Sequence, residues 1–123
     1  MYAPDATGIR SEVSDDREAG SLPSFSIAWT TGEKCVRVVL SGDLDMPASL
    51  RLERAVDRAL QHEGVRQLVF DLRHVEFMDS AGLGALLSIR ERSQSLDVEM
   101  SLANVSPIVG RVLDVTGTRA TFR

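Results

Sequence analysis

The segment Met78-Asp79-Ser80-Ala81-Gly82-Leu83-Gly84 concentrates the residues most able to do chemistry. Ser80 offers a hydroxyl at the start of a predicted helix, with Asp79 before it and Ala81 after it. As a nucleophile it would need a base within hydrogen-bond reach, and the chain supplies only His62, at a predicted helix end, and His74, in the loop after a predicted central strand. The G-x-S-x-G elbow of serine hydrolases is also missing, so no catalytic residue is assigned and enzyme activity is not expected. As an acceptor, a phosphorylated Ser80 would add about −1.5 to −2 charges beside Asp79 and change a docking surface by repulsion, desolvation and size. A helix N-terminus favours negative charge, so the fold need not respond. Asp79 or Ser80 also suits the N-cap. Gly82 and Gly84 each cost about 1 kcal/mol relative to alanine in a helix. Either close packing of the helix on a sheet or close approach by a partner or phosphate must offset that cost.

The surrounding elements decide where Ser80 points. In a helical projection Leu83, Leu86, Leu87 and Arg90 share one side, whereas Ser80, Gly84, Ser88, Glu91 and Ser95 recur on the other, which makes Ser80 part of an exposed polar face. Upstream, Phe25 to Trp29 and Cys35 to Leu40 read as two strands joined by a turn at Thr31 to Lys34. Pro47 then suits a first helical turn, and Leu52, Ala55, Val56, Ala59 and Leu60 form the apolar stripe of a helix that Gly64 ends. Gln67 to Leu72 is a nearly continuous apolar run, expected to form a central strand covered on both faces or nearly so. Val98 to Leu102 alternates as a further strand. Ser106-Pro107 opens a third helix, with Ile108, Val109, Val112, Leu113 and Val115 as its apolar side and Gly117 as its stop; Ala120 to Phe122 is expected to add a short edge strand. The order predicts an α/β domain with a mixed, four- to five-stranded sheet and helices packed on it.

A chain of 123 residues, 43% hydrophobic and 26% charged, fits a single globular domain and excludes collagen, coiled coil and low-complexity polymers. Eighteen acidic against 14 basic residues give a net charge of −4, the wrong sign for a nucleic-acid binder. Cys35 is the lone cysteine, and His62 and His74 lack metal-ligand spacing, so neither metal nor cofactor is expected. No apolar run approaches the roughly 20 residues that span a bilayer, and the acidic start does not resemble a signal segment. A cytoplasmic protein without membrane association is expected. Residues 1–24, with five acids against two arginines and no apolar period, read as a flexible acidic tail ahead of a domain over 25–123.

Three stretches resemble the STAS domain family, and within it the bacterial anti-sigma factor antagonists. Gly42-Asp43-Leu44-Asp45 is similar to the family's Gly-Glu-Leu-Asp turn, Phe77 to Gly84 to its phosphorylation loop, and Ser106 to Gly117 to its final helix. The resemblance implies a module that binds an anti-sigma factor with serine kinase activity and so releases a sigma factor. It places Ser80 on the phosphorylated serine, with ATP and magnesium held by the partner and a metal-dependent serine phosphatase restoring the active form. It assigns Asp45 and Asp79 to partner docking, and Gly82 and Gly84 join them and Ser80 on the expected partner-binding surface. The family often has a second hydroxyl after the phosphorylated serine; here that residue is Ala81. The family chain also usually continues through another helix, whereas this one stops at Arg123. The alternative is a STAS scaffold or ligand-sensor module of a signalling complex.

Overall fold

Alternation of apolar and polar residues builds the sheet. The computed structural model describes residues 11–15 and 25–122. Its strands are β1 (Ser11–Asp15), β2 (Phe25–Gly32), β3 (Cys35–Leu44), β4 (Gln67–Met78) and β5 (Glu99–Ala103). The helices are α1 (Met46–Leu60), α2 (Ser80–Ser95) and α3 (Pro107–Thr116), followed by a 3₁₀ turn at Arg119–Phe122. The five strands lie in sequence order, with β1, β2 and β3 antiparallel in turn and β3, β4 and β5 parallel. This is the mixed α/β sheet that the sequence predicts.

Each parallel crossover takes a right-handed path, so α1 and α2 cover the same face of the sheet. That face carries Val36, Val38 and Leu40 of β3 and Leu68, Phe70 and Leu72 of β4, which join Leu52, Val56, Leu86, Ile89, Val109 and Leu113 of the helices in one core cluster. The opposite face is half-open: Arg37, Val39 and Val69 are half-buried and Gln67 is exposed. The apolar run in β4 is therefore not covered on both sides, because β4 alternates like its neighbours and only one face receives helices.

Three other local expectations change. Ser11–Asp15, inside the stretch expected to be a tail, form β1 and pair with Thr30 to Ser26 of β2; the rest of residues 1–24 lies outside the described residues. An edge strand can be held by main-chain hydrogen bonds to its neighbour and needs no apolar period of its own. His74 lies within β4, opposite Ser41, and not in a loop, because β4 continues through register shifts to Met78. Residues 119–122 turn back along α3 and add no edge strand. Gly117, at φ 71°, closes α3, and Arg119 then donates to Asp114 and to the Gly110 carbonyl while Phe122 is buried.

Asp71 is the buried charge of the half-open face. Arg37 Nη2 and Asn104 Nδ2 donate to its Oδ2 at 2.9 and 3.2 Å, and the Arg73 amide donates to Oδ1 at 3.1 Å. Burial alone would raise its pKa, but the Arg73 amide, the Arg37 and Asn104 donors and the Arg37 charge together hold it below the ordinary value. The folded pKa is thus depressed relative to the unfolded chain. The carboxylate stabilises the fold above its unfolded pKa of about 4, and that contribution disappears as pH falls through the folded value. Asp71→Asn is expected to lower stability at neutral pH and to flatten the acid limb, measured as urea midpoints from about pH 7 to about pH 2.5. Parallel acid limbs in the two proteins would contradict this role.

Candidate functional site

Two parallel strands end side by side, and each is followed at once by an aspartate and a helix. Leu44 at the end of β3 pairs with Met78 at the end of β4, about 5 Å apart as neighbouring strands are. Asp45 and Asp79, the next residues, cap α1 and α2. Asp45 accepts from the Ala48 amide at 3.1 Å and Asp79 from the Gly82 amide at 3.0 Å. The strand register therefore sets two half-buried carboxylates and two helix N-termini next to one another. Of the two cap candidates in the second helix, Asp79 is the cap and Ser80 is the first helical residue, exposed to solvent.

No described hydrogen bond joins Ser80 to either histidine. His62 lies beyond the far end of α1 from Asp45, and a helix of 15 residues is about 22 Å long. Among the described residues, no group of three or more His, Cys, Asp or Glu side chains could hold a metal ion, and no helix is long and apolar enough to cross a membrane. The arrangement offers an exposed hydroxyl over aligned amide dipoles, beside two carboxylates. A phosphoryl group on Ser80 would gain from the helix dipole and meet the charges of Asp45 and Asp79.

The two glycines have opposite roles. A Cβ on Gly82 would lie 2.3 Å from the Leu44 carbonyl oxygen and 2.8 Å from Met78 Cγ, so this residue lets α2 pack against the end of β3. Gly82 is buried and serves packing, not the exposed partner surface on which the sequence reading put it. A Cβ on Gly84 would meet no atom within 4 Å, and no packing inside the domain offsets the cost of that glycine. Gly84→Ala is expected to raise unfolding free energy by about 0.5 to 1 kcal/mol, read by urea denaturation; a destabilised variant would contradict its exposure.

Sequence reasoning left out Met46 and Leu50, which are exposed on α1 beside Asp45. Their one-turn spacing off the stripe of Leu52, Ala55 and Val56 was the available signal. Arg92 of α2 pairs with Glu53 at 3.0 Å and with Asp57, and Ser88 Oγ donates to Glu53 at 3.2 Å, which ties the two helices together.

A small α/β domain with a mixed sheet and two adjacent, aspartate-capped helix N-termini is the class that this fold and site define. Residues 26–123 match the model of the STAS domain, and the chain belongs to that family. Among curated proteins it is similar to an anti-sigma F factor antagonist of Paenibacillus polymyxa, at 36% identity over 65% of this chain and 68% of the relative. It is also similar to an anti-sigma-B factor antagonist of Staphylococcus aureus, at 29% identity over 78% of this chain and 88% of the relative. The crystal structure of an anti-sigma factor antagonist from Mycobacterium paratuberculosis superposes with a TM-score of 0.67 at 27% identity, covering 80% of this chain and 83% of that one.

Proposed function

We propose that this chain is an anti-sigma factor antagonist: it binds an anti-sigma factor that is also a serine kinase, frees the sigma factor, and is switched off by phosphorylation of Ser80. The observation that carries the reading is the exposed Ser80 at the start of α2, directly after its cap Asp79 and at the end of the sheet where Asp45 caps α1. The names borne by the similar curated proteins support it. In this reading ATP and magnesium belong to the partner, a serine phosphatase reverses the modification, and the exchange takes place in the cytoplasm. The chain itself contributes a docking surface and an acceptor hydroxyl and catalyses nothing. Asp45 and Asp79 hold the helix ends in place and present negative charge to the partner, with Ser80 and Gly84 exposed along α2.

The test is a release assay. A complex of sigma factor and anti-sigma factor from the same organism is mixed with this protein, and free sigma factor is followed by size exclusion. Release by the wild-type chain is expected. Retention of the intact complex at a large excess of the chain, for every anti-sigma factor kinase of that organism, would overturn the proposal.

A further inference from the structure

The helix surfaces beside Ser80 lack a side chain at Gly84, a gap termed the notch. Glu53 meets Ser88, and Asp57 meets Arg92, so α1 and α2 face one another at a constant offset of 35 residues. Both helices run from the same end of the sheet, and the same offset continued toward their N-termini sets Ser49 against Gly84 and Asp45 against Ser80. Ser49 is buried and bonds the Asp45 carbonyl, so it lies below the surface, while Met46 and Leu50 stand exposed at 62% and 54%. On the α2 side Gly84 leaves open space where a side chain would stand. The result is a gap at Gly84 in the polar row that Ser80 and Ser88 form along α2, beside the exposed apolar pair Met46 and Leu50 of α1. At the start of the two helices the capping carboxylates Asp45 and Asp79 form no ion pair among the described residues.

We infer that this notch receives one apolar side chain of the anti-sigma factor, flanked by basic residues, and that Met46 and Leu50 determine which anti-sigma factor the chain accepts. The inference rests on the function proposed above and names the contact behind it. Continuity with Ser80 selects the occupant, because a partner that reaches the Ser80 hydroxyl must also cover the notch. Two exposed apolar side chains one turn apart supply the apolar centre that interfaces bury, and carboxylates without an ion-pair partner call for a cationic flank. The gap at Gly84 admits the partner's side chain at the depth of the helix backbone.

Binding of the anti-sigma factor to four versions of the chain tests this by calorimetry: wild type, the double variant Met46→Ala and Leu50→Ala, Gly84→Leu, and Val115→Ala. Val115, 80% exposed on α3, is the control for loss of an exposed apolar side chain elsewhere. The double variant and Gly84→Leu are expected to bind about tenfold or more weakly, with melting temperatures near that of the wild type and Val115→Ala unchanged. Wild-type affinity in both variants, while Ser80→Glu still abolishes binding, would overturn the notch and leave the phosphorylation switch standing. Absence of binding by the wild-type chain to any anti-sigma factor would overturn both.

Discussion

Ser80→Glu is expected to cost the chain at least about thirtyfold in affinity for its anti-sigma factor, because an unpaired charge buried at an interface costs 2 kcal/mol or more. The hydroxyl stands at the first position of α2, directly after the capping carboxylate of Asp79 and at the same end of the sheet as that of Asp45. A third carboxylate there adds to the negative charge of the two caps. Stability follows a different rule. A negative group in the first helical turn interacts favourably with the helix dipole by about 0.3 to 1 kcal/mol, so the melting temperature should stay level or rise. Ser80→Ala should retain wild-type affinity. The combination of a stable fold and lost binding, measured by calorimetry and thermal melting, separates a switch from a structural defect. Equal affinity in Ser80→Glu and wild type would contradict the switch.

Gly82→Ala is expected to have the opposite signature, with the fold itself weakened. Its methyl would sit 2.3 Å from the Leu44 carbonyl oxygen and 2.9 Å from Leu44 Cγ. The oxygen belongs to the last residue of β3, one position before the cap of α1, so it cannot swing aside like the end of a flexible side chain. Either α2 lifts from β3 or Leu44 shifts with the start of α1, and overpacking of this kind costs about 3 kcal/mol. For a domain whose total stability is about 5 to 15 kcal/mol, that is a large fraction. Both movements also separate Asp45 from Asp79, so the folded fraction should bind the partner less well. A urea midpoint equal to that of the wild type would show that the α2 start is not seated against Leu44 as described.

The contrast between Gly82 and Gly84 shows which features the sequence carries and which depend on tertiary contacts. Two residues apart, both glycines read as helix positions with an unexplained cost, and packing and partner approach were equally available to each. Only the position of the Leu44 carbonyl separates them, and that position depends on the parallel pairing of Leu44 with Met78 across 34 residues of chain. Local signals were legible. The third helix follows from Ser106, Pro107 and Gly117, and the exposure of Ser80 follows from the spacing of Leu83, Leu86 and the polar residues on its own face. The cap at Asp79 could be narrowed to two residues from type alone, and backbone geometry chose between them.

Features held by main-chain or long-range contacts were not legible. β1 has no apolar alternation to announce it, because its partner is the backbone of β2. The one-sided burial of β4 follows from the two crossovers placing α1 and α2 on one face, which the run Leu68-Val69-Phe70 does not reveal. The adjacency of Asp45 and Asp79 is likewise a matter of register. The resemblance to a family brought those two residues together, and the ends of β3 and β4 supply the physical reason.

The most direct measurement of the central claim is the intact mass of the chain after incubation with its anti-sigma factor, ATP and magnesium. One added phosphoryl group on the wild type is expected, absent from Ser80→Ala, together with loss of the complex as the mass changes. An unmodified wild-type chain that stays bound, or a phosphoryl group that persists in Ser80→Ala, would contradict the assignment of Ser80 as the switch.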